Sequence, residues 1–103
     1  MKIKDFRARI SAMMGEHQAI VTEAGEISRY LARRYARDGE ARAMVSRGAG
    51  AIRELKKILI CHESLSDTEE CTPYTQDLLA RRESTLQGHY ETLAHLRHLK
   101  RQA

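Results

Sequence analysis

Bulky aromatic side chains are scarce in this sequence, which has no tryptophan, one phenylalanine and four tyrosines among 103 residues. Hydrophobic residues make up 42% of the chain and charged residues 31%, a balance typical of a globular protein. The core is therefore predicted to be thin and built from Leu, Ile, Met and Ala. At this length we expect one domain, because two independent cores do not fit.

Long apolar runs are missing too. No stretch approaches the roughly 18 apolar residues of a membrane span, and the opening MKIKDFRARI lacks the continuous apolar segment of a signal peptide. We therefore predict a cytoplasmic protein that does not enter a membrane. The only two cysteines, Cys61 and Cys71, are expected to stay reduced in that compartment rather than to form a disulfide.

One apolar stripe dominates the first third of the chain. Its members recur at alternating spacings of three and four residues, which places them on one side of an α-helix. They are Ile3, Phe6, Ile10, Met13, His17, Ile20, Ala24, Ile27 and Leu31. The pattern predicts a single long, coiled-coil-like helix over residues 3–37, which a left-handed Gly39 ends after Asp38.

Two further helices follow from shorter patterns. The second is predicted over residues 40–62, antiparallel to the first because the turn is short. Its small residues 48–51 allow either a close helix approach or a local kink, and we favour the close approach. An acidic loop over residues 63–73 comes next. Thr72 and Pro73 suit the N-cap and the first position of a third helix over residues 74–101. The predicted fold class is all-α, a three-helix antiparallel bundle.

The first predicted helix is longer than its neighbours, so part of its stripe is expected to overhang them. An exposed apolar edge needs cover in water, and we expect that cover from the third helix, from a second copy of the chain or from a different protein. A partner is the simplest of these. The predicted apolar contact residues are Ile10, Met13, Ile20 and Ile27.

Signatures of catalysis are missing as well. Cys61, His62 and Cys71 lack the paired C-x-x-C spacing of zinc modules, and the glycines of residues 47–51 do not follow a strand as a phosphate loop would. His17 lies at an inward heptad position, where a hydrogen-bonded core histidine is more common than a pH sensor. We therefore predict that the protein is not an enzyme and uses no metal or other cofactor.

Basic residues are the best candidate for a binding surface. The chain has 18 Lys and Arg against 14 Asp and Glu, a formal charge of +4 that favours acidic partners. On the first two helices they fall on common faces beside two tyrosines, and we expect these faces to merge into one patch. No helix-turn-helix or aromatic stacking platform accompanies them. The residues predicted to steer a partner are Arg29, Arg33, Arg42, Arg53 and Lys57.

Three roles remain open for this patch: a solvated face, contact with an acidic protein, or contact with nucleic-acid phosphates. We predict a protein-binding adaptor, chaperone or inhibitor. By analogy it is a phage- or plasmid-type accessory protein that modulates a host DNA-processing enzyme. The alternative is a direct nucleic-acid-binding protein that uses the basic residues of the first two helices. Pairing of two identical chains into a homodimer is the third hypothesis.

Overall fold

The computed structural model describes all 103 residues and contains three α-helices joined by a turn and a loop. The helices are α1 (Ile3–Arg33), α2 (Gly39–His62) and α3 (Pro73–Gln102). They form a rod with principal extents of 53 × 18 × 15 Å, in which α2 runs antiparallel to both α1 and α3. The predicted all-α, three-helix antiparallel bundle is confirmed. None of the three helices combines the length and apolar composition that a membrane crossing requires.

The apolar stripe of α1 forms the centre of the core. All nine of its predicted residues are buried, and none is more than 2% exposed. Met44 and Leu55 of α2 cover it from one side, and Leu86 and Leu96 of α3 from the other. Because α3 has 30 residues against 31 in α1, no part of the stripe overhangs. The expected overhang is therefore absent, and of the three predicted sources of cover the structure shows the third helix.

α1 and α2 approach closely at Gly48. A Cβ atom added to Gly48 would lie 2.3 Å from Cγ2 of Val21, far inside van der Waals contact. The side chain of Val21 is branched and short, so it has little room to move away. Only glycine fits at this crossing, and the close approach predicted for the small residues of α2 is confirmed.

The first helix ends four residues earlier than predicted, in a Schellman motif. The N–H of Tyr35 donates to the carbonyl of Ala32 (3.1 Å) and the N–H of Ala36 to that of Leu31 (2.9 Å). Tyr35 has the left-handed conformation of this motif, with φ 54°, which costs a non-glycine residue roughly 1–2 kcal/mol. The motif falls here because Leu31 is the last buried residue of the stripe. Gly39 has a negative φ and instead begins α2, so its predicted role as the helix end is wrong.

The acidic loop is fastened to the start of α1. The N–H of Ile3 donates to the carbonyl of Glu69 (2.8 Å). The Arg7 side chain donates to the carbonyl of His62 (3.1 Å) at the end of α2 and forms an ion pair with Asp67 (2.6 Å). Two acidic side chains of this loop, Asp67 and Glu70, therefore pair with cations at the start of α1.

α3 begins as its sequence indicates. The Thr72 hydroxyl accepts a hydrogen bond from the N–H of Thr75 (3.2 Å), and Pro73 occupies the first helical position. The predicted N-cap is confirmed. Cys61 is exposed and Cys71 buried, and both are free thiols.

Candidate functional site

The charges of the bundle are divided unequally along its length. We call residues 18–50 and 91–103, which surround the turn between α1 and α2, the turn half, and residues 1–17 and 51–90 the loop half. The turn half has nine Lys and Arg against five Asp and Glu, whereas the loop half has nine of each. All of the formal charge of +4 therefore lies in the turn half.

Most cations of the loop half are engaged in ion pairs. Arg9 of α1 donates to Glu16 and to Glu83 of α3, each at 2.8 Å. The hydrogen bond to Glu83 raises the pKa of the Arg9 guanidinium, and Arg9 in turn lowers the pKa of the Glu83 carboxyl. Lys2 lies 2.7 Å from Glu70 in the acidic loop. These pairs connect the helices and the loop, and the loop half as a whole has no net charge.

Tyr90 extends this network. Its hydroxyl donates to Glu16 (2.7 Å), which lowers the pKa of the Glu16 carboxyl and raises that of the Tyr90 phenol. None of Arg9, Glu16, Glu83 and Tyr90 lines a surface cavity. The group therefore fits a structural link between α1 and α3 better than an acid–base site.

Seven cations of the turn half lie beyond 4.0 Å of any carboxylate. They are Arg29, Arg33, Arg34, Arg37, Arg47, Lys100 and Arg101. The two paired arginines of this half are Arg42, 3.3 Å from Asp38, and Arg97, 2.5 Å from Glu23. Like charges left near one another repel, so a bound anion would stabilise this surface.

Tyr30 contacts two of the unpaired cations and lines a groove between α1 and α3. The guanidinium carbon of Arg34 lies 3.8 Å from the centre of its ring, and Nζ of Lys100 lies 5.0 Å away. Both distances are within the range of cation–π contacts. Arg101 lines the same groove. The Tyr30 ring contacts both side chains but, having no formal charge, leaves their positive charges uncompensated.

The full exposure of Tyr35 at the end of α1 was not predicted from the sequence pattern. Its ring is 100% exposed, beside Arg33, Arg34 and Arg37 in the chain. The sequence prediction placed Tyr35 inside the first helix and found no aromatic platform beside the basic residues. The available signal was the end of the apolar stripe at Leu31, after which the chain reads R-R-Y-A-R.

A surface cavity of about 600 Å³ opens at the same end of the bundle. Leu31, Ala36 and Leu99 supply its apolar lining, and Arg37 and Glu40 its charged lining. The turn half therefore combines unpaired cations, an exposed ring and a concave surface.

The predicted steering residues are all exposed but do not form one patch. Arg29, Arg33 and Arg42 lie in the turn half. Arg53 and Lys57 lie about 16 and 22 Å farther along α2 than Arg42, in the loop half, and Lys57 is 3.5 Å from Glu54. The patch is therefore narrower than predicted, because α2 carries its later cations away from the turn.

The four predicted apolar contact residues lie inside the bundle. Ile10, Met13, Ile20 and Ile27 are each at most 1% exposed. The folded chain does not offer them to a partner. The docking role predicted for them is corrected to a role in the core, since α2 and α3 cover the whole stripe.

His17 and His89 meet at the boundary between the two halves. Their Nδ1 atoms are 3.1 Å apart and their rings pack edge to face. Burial lowers the pKa of both imidazoles, and the neighbouring Arg47 lowers the pKa of His89 further. In this contact one Nδ1 donates and the other accepts, so His17 is the hydrogen-bonded core histidine that its heptad position predicts.

No group of three or more His, Cys, Asp or Glu side chains is arranged to hold a metal ion. The chain matches no protein-family model, no curated protein and no solved structure.

Proposed function

We propose that this protein is a non-enzymatic binding protein that uses its turn half to bind nucleic acid. The observation that carries the proposal is the set of seven unpaired cations in one half of a rod whose other half is neutral. Lys and Arg side chains that contact phosphates release condensed counterions, which supplies most of the non-specific affinity for nucleic acid. Unpaired cations beside a wholly exposed aromatic ring suit such a polyanion.

An acidic protein is a weaker fit to the same surface. Stable protein interfaces have a desolvated core enriched in aromatic and apolar residues. In the turn half the apolar stripe is buried within the bundle, and Tyr35 is the only large apolar side chain that is mostly exposed. The turn half presents positive charge over a broad area, and a phosphate backbone presents negative charge over a similarly broad area.

Binding of fluorescently labelled DNA and RNA oligonucleotides over a salt series tests the proposal. Affinity should fall steeply as salt rises, and Arg33→Glu/Arg37→Glu should weaken binding at least tenfold and reduce the salt dependence by about two phosphate contacts. Lys4→Glu/Lys56→Glu is the matched control, because it makes the same charge change at exposed, unpaired positions of the loop half. Absence of binding at low salt, or an equal loss in both variants, contradicts the proposal.

A second function, as a protein-binding adaptor, chaperone or inhibitor, is favoured by a different surface. Tyr74 lines a groove between α2 and α3 together with Ile58 and Leu78. Tyr74 is 74% exposed, and Ile60, which precedes the lining residue Cys61 in α2, is 63% exposed. A host DNA-processing enzyme is the partner class proposed by analogy, and a second copy of the chain is the other. This surface lies in the neutral loop half, so it can act independently of the turn half.

Ile60→Asp tests the second function, since it places a charge at an exposed position that the core does not need. Sedimentation at micromolar concentration should show a dimer in the wild type that Ile60→Asp dissociates, if the partner is a second copy. If the partner is a host protein, its co-purification should be lost in Ile60→Asp and kept in Arg33→Glu/Arg37→Glu. A monomeric wild type that retains no host protein excludes the second function.

A further inference from the structure

The ring of Tyr35 makes no contribution to the core that would explain its presence. It is fully exposed at the turn between α1 and α2, although burial of an aromatic side chain is one of the largest stabilising contributions available to a small bundle. Phe6, the only phenylalanine, is by contrast 0% exposed. The reason for a tyrosine at position 35 therefore lies outside the packing of the chain.

The backbone at Tyr35 gives no reason for a tyrosine either. Its left-handed conformation is the one that glycine adopts without strain at the end of a helix. The hydrogen bonds from Tyr35 to Ala32 and from Ala36 to Leu31 use only backbone atoms, so a glycine would make the same motif. A residue that strains the fold without packing against it is typical of a functional position.

The surroundings of Tyr35 indicate what its ring binds. Arg33, Arg34 and Arg37 lie within two residues of it along the chain, so their Cα atoms are within about 8 Å. The ring of Tyr30 is already covered by Arg34 (3.8 Å), which leaves Tyr35 as the free aromatic face. Proteins commonly bind single-stranded nucleic acid with cations that contact its phosphate backbone and with an aromatic ring on which a base stacks.

We infer that Tyr35 stacks on an unpaired base, so that the turn half binds single-stranded in preference to double-stranded nucleic acid. The inference rests on the proposed function and names its substrate class. In a duplex the faces of the bases are already stacked on one another and are closed to a protruding ring. An unpaired base leaves its face open while its neighbouring phosphates reach the arginines.

A tryptophan reporter detects stacking directly, because the chain has no tryptophan of its own. Tyr35→Trp should lose fluorescence when an oligothymidylate of about 15 nucleotides is added, and lose much less with a duplex of equal length. Tyr74→Trp is the matched control, since Tyr74 is also exposed but lies in the loop half. Equal quenching of the two reporters by the oligothymidylate overturns the inference.

Binding affinities of Tyr35 variants distinguish the contribution of the aromatic ring from that of the backbone conformation. Tyr35→Gly keeps the left-handed backbone and should weaken binding of the oligothymidylate about 5- to 150-fold, the effect of losing one stacked base. It should change duplex binding less than about twofold. Tyr35→Phe should bind like the wild type, because it keeps the ring. Unchanged oligothymidylate affinity in Tyr35→Gly overturns the inference.

The outcomes distinguish this inference from the proposed function. A wild type that binds single strands and duplexes equally, and loses both in Arg33→Glu/Arg37→Glu but not in Tyr35→Gly, overturns base stacking and leaves nucleic-acid binding in place. Poly-glutamate that competes as well as the oligothymidylate shows an acidic protein to be an equal ligand, which overturns stacking too. A wild type that binds no nucleic acid at low salt overturns both.

Discussion

The two halves of this bundle share one core but differ in how many of their Lys and Arg side chains are paired with carboxylates: five of nine in the loop half and two of nine in the turn half. In the loop half, Arg7 and Arg9 connect α1 to the acidic loop and to α3 through carboxylates. In the turn half, Arg33 and Arg37 have no such partner, although the apolar residues beneath them are buried just as completely. Arginines that bind carboxylates stabilise the fold, whereas arginines without them are free to bind something else.

The largest effect should come from breaking the core that the halves share. Ile10→Asp in the loop half and Ile27→Asp in the turn half each bury an unpaired charge, which costs more than about 4 kcal/mol, a large part of the stability of a small domain. Both should abolish the helical circular dichroism of the whole chain. Ile60→Asp, at an exposed position, should leave it unchanged. Loss of one half alone would show that the halves are separate folding units.

Glycine variants should shift stability in opposite directions in the two halves. Gly48→Ala in the turn half should lower the free energy of unfolding by about 1–3 kcal/mol, because the new Cβ overlaps Val21. Gly15→Ala in the loop half meets no atom within 4 Å and should raise it by about 0.5–1 kcal/mol through helix propensity. Urea denaturation measures both. Stabilisation by Gly48→Ala would mean that the helices separate there without cost.

A smaller difference should separate paired from unpaired arginines. Arg9→Gln removes the link to Glu16 and Glu83 and should lower the free energy of unfolding by about 1 kcal/mol, since these partly exposed pairs are screened by solvent. Arg33→Gln removes only repulsion and should change it by less than about 0.5 kcal/mol. Urea denaturation at low and high salt measures both. An equal loss in the two variants would contradict the division of charge.

The smallest effect should be a loss of stability in mild acid, which originates at the boundary between the halves. The pKa values of His17 and His89 are lowered in the folded chain, so below the unfolded value of about 6.5 the unfolded state binds more protons. Glu16 opposes the shift at His17, whereas Arg47 adds to the shift at His89. The thermal midpoint should therefore fall as pH drops below this value. His17→Leu should flatten the dependence, and a profile unchanged by that variant would assign it to other groups.

Much of the fold could be predicted because its signals are local. The spacing from Ile3 to Leu31 marks the buried side of α1, and Thr72 with Pro73 marks the start of α3. The end of α1 was harder to predict. Asp38 and Gly39 resemble a helix end, but the helix ends at Arg33, two residues after Leu31, the last buried residue of the stripe. The spacing of Tyr90 from Leu86 and Leu93 predicts a buried position on α3, yet Tyr90 is exposed and its hydroxyl donates a hydrogen bond to Glu16.

By itself the sequence determined the three helices, the buried side of the first and the excess of positive charge, because periodicity and composition are properties of neighbouring residues. Only the tertiary structure decided that α3 covers the whole stripe, and which cations find carboxylates. Arg9 and Glu83 are 74 positions apart, so whether they meet depends on the register between α1 and α3. That register left the arginines around Tyr35 unpaired.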